Sequence, residues 1–518
     1  MPPRVKLRNH FNHPTADAVA AAKTCYSDSI IRINDLTKDE ITRIGKTTYE
    51  AGHHTVYQHQ MFEFELSNVS RAFTHDFLHN HPFYNSSQNS QRYVRIRTAK
   101  ATIPPIKNRK ALRAFQGAIR DSFDTYNVLA RTLTEELTEL YSMGRSSRSV
   151  PGRKATREIK EKAMEAARYA LAIASHTHLL HTIDGVTLWR YYRMKNISWE
   201  ANLVVNKMID RVKAIDQSFV AFPEEEGAYP GPLLPEVVIR KGVSLDPDRF
   251  RKDFDSRLGG RRSLLIAQTM NAERVIADSV RHILGITSSS MSDIDAIDAV
   301  LNPAKNRYLV DTVNLSVISP LSRALSHVQY TFLKRLSHTA DSQNQRHRTI
   351  SGSRSPTYFQ DSAEPDYVMP EIIRKSSRAS EIFTGLMKRI WGIKNDLLND
   401  GMSPEYASYI LPNALAVRFE ETGSMLNLWY KFTNRSCLRA EEEIWQVTME
   451  EISQVKEIHP SLGAYLGPPC YVRKMAYLNE SVSEDVGKTR YCNQGKLYCR
   501  QPVWNLYPDV SVENVLKV

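Results

Sequence analysis

Apolar residues recur at three- and four-residue intervals over Lys110 to Met143, Glu158 to Leu180, Ser198 to Phe219, Arg262 to Leu284, Ser376 to Leu398 and Arg439 to Val455. That spacing gathers them on one stripe and predicts a helix over each stretch. Strict alternation is rarer. It is clear in Met61 to Leu66 (MFEFEL) and weak in Leu309 to Ile318, which predicts one strand and suggests a second. The first strand should feed a helix starting near Val69. The chain therefore reads as α+β with helix dominating. A Pro/Gly-rich break at Phe222 to Pro235 (FPEEEGAYPGPLLP) marks a domain boundary.

The two sides of that break echo each other. Ser70-Arg71-Ala72-Phe73-Thr74-His75 recurs as Ser322-Arg323-Ala324-Leu325-Ser326-His327. Ser87-Gln88-Asn89 with Gln91-Arg92 recurs as Ser342-Gln343-Asn344 with Gln345-Arg346. Ala167-Arg168-Tyr169 returns as Ala407-Ser408-Tyr409, Thr182 as Thr422, and Leu188-Trp189 as Leu428-Trp429. Order is kept throughout, which implies an internal duplication rather than a solenoid. The expected division is 1–235 for the first copy, 236–260 for a linker, 261–475 for a diverged second copy and 476–518 for a tail containing Cys492 and Cys499.

Composition narrows the class. The 518 residues are 42% apolar and 24% charged, which excludes a mainly disordered or fibrous chain. No apolar run approaches the roughly 18 residues of a membrane helix. Met1 to His13 is basic but lacks the apolar centre of a secretory signal. Five cysteines make no disulfide framework, so a reducing, cytoplasmic setting is expected. Sixty-nine Lys and Arg against 57 Asp and Glu leave a charge of +12. That excess suits an anionic partner (nucleic acid, nucleotide or phosphorylated cofactor) or a merely solvated basic surface.

The chemistry concentrates between Gly52 and Val94. His59, His75, His79 and His81 crowd the end of the predicted strand and helix, and a Ser/Asn/Gln-rich loop closes on Arg92. Short donors plus a guanidinium fork suit a phosphate. A shared metal is disfavoured, because residues two apart on a helix point apart.

This stretch resembles the flavin-dependent thymidylate synthases (the ThyX family). The resemblance rests on Gly52-His53, Thr55, His59, Phe62, Phe64, Ser70-Arg71-Ala72, His75, Ser90, Arg92 and Tyr93. Upstream, Ala21-Ala22-Lys23-Thr24-Cys25-Tyr26-Ser27 is similar to the family's AARxCYS. In the second copy Tyr409 to Asn413, Asn434-Arg435, Gly467-Pro468-Pro469-Cys470 and the Cys492 to Cys499 segment match its later motifs. The resemblance implies two tandem ThyX-like domains, each a mostly antiparallel sheet flanked by long helices. It implies FAD as cofactor, NADPH and methylenetetrahydrofolate as co-substrates, and reductive methylation of dUMP to dTMP without an enzyme nucleophile. It carries Gln88, Ser90, Arg92, Arg168, Arg346 and Arg435 over as dUMP ligands. It carries His53, Thr55, Gln58, His79, Asn80, His81 and Asp184 over as FAD ligands, and it implies no metal. The cysteines of the tail are expected to be structural, with zinc a minor option. A homodimer forming a pseudo-tetramer with incomplete half-sites is expected, nucleic acid and membrane are not.

The departures matter. The family's RHR triplet reads His79-Asn80-His81 in the first copy. In the second, the collinear echoes place Gln345-Arg346 at the loop's end and the triplet position near Arg335-Leu336-Ser337, which makes Arg346-His347-Arg348 a coincidence. The alternative is that Arg346-His347-Arg348 is the triplet itself. The altered first triplet leaves room for a diverged FAD enzyme acting on another nucleotide or one-carbon donor, or for a non-catalytic nucleotide- or nucleic-acid-binding homologue.

Overall fold

A computed structural model describes residues 2–143, 152–477, 491–499, 501 and 503–507. Most of the expected tail, 476–518, lies outside the described residues. The first half holds strands β1 (Arg4–His10), β2 (Met61–Ser70), β3 (Asn85–Gln88) and β4 (His176–Asp184), in the order β1-β2-β4-β3. The second half repeats this with β5 (Ser263–Gln268), β6 (Gln329–Ser337), β7 (Ser351–Ser353) and β8 (Ala416–Ser424), in the order β5-β6-β8-β7. Every pairing is antiparallel. The helices used below are α1 (Arg109–Met143), α2 (Arg153–Ala167), α3 (Gly185–Met194), α4 (Trp199–Lys213), α5 (His338–Asn344), α6 (Ser377–Asn399), α7 (Met425–Arg435) and α8 (Glu442–Ile458).

Three expectations fail locally. The helix expected over Glu158 to Leu180 ends at Ala167, and β4 follows. The stretch Arg262 to Leu284 opens with β5 before the helix Ala272–Leu284 begins. The weak strand at Leu309 to Ile318 is a pair of short 3-10 turns. The expected linker 236–260 is itself mostly helical, as Pro235–Lys241 and Pro247–Leu258.

Register fixes which residues correspond. Met61 pairs with Asp184 and Gln329 with Ser424; Ser70 pairs with His176 and Ser337 with Ala416. Ser70 therefore matches Ser337, and each caps the next turn: the Ser70 hydroxyl accepts from Phe73 N, that of Ser337 from Ala340 N. Ser322-Arg323-Ala324 lies before β6, so its likeness to Ser70-Arg71-Ala72 is a coincidence of sequence. The echo of Ser87 to Arg92 in Ser342 to Arg346 fails likewise, because Ser87 and Gln88 are in β3 while Ser342 and Gln343 are in α5. The echoes Arg168/Ser408 and Thr182/Thr422 agree with the register of β4 on β8.

The halves meet in one shared core. Phe115, Tyr126 and Leu129 of α1 pack with Phe383, Ile390 and Trp391 of α6 and with the segments around Leu171 and Leu411. There the backbone exchanges reciprocal bonds. Ile173 N donates to Leu411 O (2.8 Å) and Asn413 N to Leu171 O (2.7 Å). Ala174 N donates to Tyr409 O and Ala414 N to Tyr169 O, both at 3.0 Å. Such exchange is the mark of an isologous, two-fold-like contact, here within one chain. Each half keeps a further core of its own between its sheet and its own helices.

Candidate active site

Two buried carboxylates seat the strand ends that build the site. Glu200 of α4 accepts from Ser70 N (2.8 Å), Ser70 Oγ (2.5 Å) and the Tyr409 hydroxyl of the other half (2.9 Å). Glu443 of α8 accepts from Ser337 N (2.7 Å), Ser337 Oγ (2.6 Å) and the Tyr169 hydroxyl (2.8 Å). Burial in a low dielectric is affordable for these groups only because several donors converge on each.

From that frame, arginines of both halves converge. Arg71 follows β2, Arg92 lies in the loop after β3, and Arg168 follows α2; Arg346 follows α5 and Arg435 ends α7. Burial pulls the Arg71 guanidinium below its usual range, and repulsion from Arg168 and Arg346 pulls it further. Burial lowers Arg435 too, with Arg346 and Arg92 adding repulsion. Arg168 is buried, and its Nε and Nη2 have no hydrogen-bond partner; Arg71 Nε has none either. The counterweight is Glu165, which bonds Arg92 Nε and Lys162 Nζ (3.1 Å). Burial would raise Glu165, but Lys162, Arg92 and Arg168 together hold its carboxyl well below the usual range. The cluster opens into a cleft of about 360 Å³ lined by Tyr93, Arg346, His347, Tyr430 and Arg435. Unpaired buried N–H groups among like charges are stabilised by a bound anion. Forked guanidiniums fit a phosphate above all.

The structure thus brings together Arg92, Arg168, Arg346 and Arg435, with Ser90 beside them: its hydroxyl accepts from Arg92 N (3.2 Å). Gln88 does not join. Its amide nitrogen is committed to Thr74 Oγ1 (3.3 Å) and Thr177 Oγ1 (3.1 Å), which fix β3 to its surroundings. Sequence reasoning missed Arg71, named only within the Ser70-Arg71-Ala72 motif, and Gln343 of α5, whose carbonyl accepts from Arg435 Nη2 (3.3 Å).

Arg346 belongs to the cluster as part of a triplet, not as a loop end. Arg346-His347-Arg348 follows Ser337 at the spacing at which His79-Asn80-His81 follows the matched Ser70, and each triplet leads into the short third strand. The collinear placement near Arg335-Leu336-Ser337 is overturned, since those residues end β6. His347 Nε2 accepts from Arg435 Nε (2.9 Å), which ties triplet to cluster.

The first-half triplet has a different character. His81 Nδ1 accepts from Phe83 N (3.1 Å), so its Nε2 carries the proton and donates to the Tyr191 oxygen (2.8 Å). Burial drives His81 down to about 4 and His79 well below its ordinary value. Both are neutral near pH 7 and do not replace arginine charge. His53, Thr55 and Gln58 are exposed on a 3-10 turn packed against α3. Asp184 caps α3, its Oδ1 accepting from Thr187 N (2.7 Å), and Tyr191 lies on α3 as well. The expected FAD residues thus gather around α3, with Asn80 exposed beside them. Next to them Arg348 reaches across from the second half. It donates to Asn85 Oδ1 (2.8 Å) and sits 5.1 Å from the Tyr84 ring centre, while Arg190 lies 4.7 Å from that of Phe83.

Cys437, Cys470, Cys492 and Cys499 line one cavity of about 20 Å³. Among the described residues, no three His, Cys, Asp or Glu side chains are arranged to hold a metal ion. No described helix is long and apolar enough to cross a membrane.

The flavin-dependent thymidylate synthase of Clostridium tetani is 28% identical over 219 residues, 41% of this chain and 83% of that protein. Those of Sulfurisphaera tokodaii and Saccharolobus solfataricus are 32% and 31% identical over 164 and 170 residues, 31% and 32% of this chain. The chain spans 63% and 65% of these two relatives. Among solved structures, a UMP/dUMP methylase PolB from Streptomyces cacaoi, bound with 5-Br dUMP, aligns at 15% identity and a TM-score of 0.31, over 43% of this chain and 96% of that one. The model of the thymidylate synthase complementing protein family (Thy1) matches residues 6–216 and again 264–461, one match per sheet. With most of its length matched in two successive copies, the chain belongs to that family.

Proposed function

We propose that the chain is a flavin-dependent thymidylate synthase that converts dUMP to dTMP, with methylenetetrahydrofolate as carbon donor and NADPH as reductant. The observation that carries this reading is the convergence of Arg71, Arg92 and Arg168 from one half with Arg346 and Arg435 from the other, around unpaired buried N–H groups. That donor set suits the dianionic phosphate of dUMP, with Ser90 and Gln343 as neutral donors nearby. A phosphate held by these donors orients the substrate, and orientation is the larger part of what such an enzyme contributes.

The residues beside the cluster also fit FAD. Arg348 and Arg190 offer guanidiniums for a pyrophosphate, Tyr84 and Phe83 offer flat faces for a ring, and His53, Thr55, Gln58 and Asn80 are exposed polar groups alongside. When bound, FAD supplies the redox chemistry. The protein's own groups bind, orient and exclude water. The altered first triplet, the motive for a different substrate, loses its force because a charged triplet stands in the second half.

We divide the chain at 1–235, 236–260, 261–475 and 476–518, in the cytoplasm, with two chains forming a pseudo-tetramer. The test is purified full-length protein carrying FAD, mixed with dUMP, methylenetetrahydrofolate and NADPH. Formation of dTMP and a dUMP-dependent change in the flavin spectrum are expected. FAD-loaded protein that makes no dTMP and cannot rescue a thymidine-requiring strain removes the proposal.

A further inference from the structure

Two-fold-like pairing of the halves creates a counterpart to the arginine cluster. Ala72, Asp76, Thr357, Glu405, Ser408 and Tyr409 line it. By register and spacing, the places of Arg71, Arg92, Arg168, Arg346 and Arg435 are taken there by His338, Tyr358, Ser408, His79 and Lys195. One cation remains, and it is engaged elsewhere: Lys195 Nζ donates to Asn206 Oδ1 (2.5 Å) and lies 3.9 Å from the Tyr192 ring centre.

A carboxylate stands among the residues of this counterpart. Asp76 stands where Gln343 stands in the cluster. Its Oδ2 accepts from Thr357 N (3.1 Å) and Thr357 Oγ1 (3.0 Å), donors of the kind a phosphate oxygen takes. Its Oδ1 pairs with His75 Nδ1 (2.8 Å). His75 Nε2 pairs in turn with Asp341 Oδ2 (3.0 Å), which Arg354 Nε holds at 2.6 Å. Burial would lower His75, but Asp341 and Asp76 push it up to about 9, so the strut is charged and self-contained. The cavity lined by Asp76, Thr357 and Ser408 holds about 20 Å³. That is room for about one water. A phosphate entering it meets the Asp76 carboxylate, and no guanidinium lines the cavity, so like charges at contact are strongly unfavourable.

We propose that each chain carries one site for a nucleotide phosphate, and that the pseudo-symmetric counterpart is closed by the chain's own Asp76 carboxylate acting as a built-in anion. The identity of the ligand rests on the function proposed above; the closure does not. The counterpart has become a strut that ties the turn after β2 to Asp341 on α5, the helix that leads into Arg346.

Calorimetric titration of the full chain with dUMP measures the stoichiometry. One dUMP per chain is expected, bound roughly 10- to 100-fold more weakly in Arg168→Ala. Two per chain overturns the proposal. The second arm needs no nucleotide recognition: crystals of the full chain are soaked in tungstate and its anomalous signal located. Tungstate at the arginines and none at Thr357 supports the closure even if dUMP does not bind, in which case only the function above fails. Tungstate between Thr357 and Ser408, or none at the arginines, overturns it.

Discussion

Glu165 and Glu405 occupy matched places in the two halves, and their carboxyl groups are driven in opposite directions. Glu165 bonds Arg92 and Lys162 and is held well below the usual carboxylate range. Glu405 has only the Trp199 N–H (2.8 Å), and burial, with Asp76 adding repulsion, pushes it up to about 7. One residue type at one position thus reports which site kept its cations.

Glu405 makes stability fall with rising pH. Its folded-state value lies above the ordinary 4.5, so the folded chain holds that proton more tightly than the unfolded chain. The contribution is full below about 4.5 and is lost as pH rises through about 7. Glu200 is raised to about 7 in the same direction, with burial the main cause. Glu405→Gln keeps an acceptor for Trp199 N and has no charge to bury. It should raise stability at pH 8 by about 1–3 kcal/mol and leave pH 4 nearly unchanged. Urea unfolding of both proteins at the two pH values measures this; equal differences at both refute the assignment.

Arg168→Ala should separate binding from folding. The side chain is buried with unpaired nitrogens amid other guanidiniums, so removing it relieves repulsion as well as losing packing. The melting temperature of the ligand-free protein is expected to move little. The affinity for dUMP should fall by roughly 10- to 100-fold, the worth of a charge-assisted hydrogen bond. Isothermal titration gives the number; unchanged affinity removes Arg168 from the site.

The amphipathic helices were readable because period and burial agree, as in α1 and α6. β4 was not, because its buried, inward positions include Thr177 and His181. Polar residues there hide the alternation, while Leu179-Leu180 keeps a helix-like spacing going. β5 is a short apolar run, which periodicity alone cannot assign. Arg92, Arg168 and Arg435 were legible as cations in a recognisable motif order. The triplet was misplaced because Ser337-His338-Thr339 does not look like Ser70-Arg71-Ala72, whereas Ser322-Arg323-Ala324 does. Register distinguishes them; a string comparison does not. The neutral state of His79 and His81 depends on burial, which no string contains.

The two interdomain tyrosines should be unequal. Tyr409 donates to Glu200 alone, at 2.9 Å. Tyr169 lies between two carboxylates, Glu441 (2.6 Å) and Glu443 (2.8 Å). Its single proton serves one of them at a time, so removing the hydroxyl takes away a donor the two acids share and leaves them facing each other. Tyr409→Phe is expected to cost about 1–2 kcal/mol and Tyr169→Phe about 2–3 kcal/mol. Denaturant midpoints at pH 7 rank them; the reverse order contradicts the pairing.

Arg348 offers the clearest separation of flavin from nucleotide. It belongs to the second half by sequence but lies against Tyr84 and Asn85 of the first, outside the Arg71–Arg435 cluster. Its one hydrogen bond, to Asn85, is exposed, so Arg348→Ala should shift the melting temperature little, as exposed contacts contribute at most about 0.5 kcal/mol. If its guanidinium holds a flavin phosphate, the loss is that of a charge-assisted bond, roughly tenfold or more in flavin affinity. The flavin absorbance of the purified variant relative to its protein absorbance measures retention, and dUMP titration serves as the control. Reduced flavin with unchanged dUMP affinity is the expected outcome. Full flavin retention places the cofactor elsewhere, and a parallel loss of dUMP would mean that Arg348 serves the phosphate cluster, joining Arg346 rather than standing apart from it.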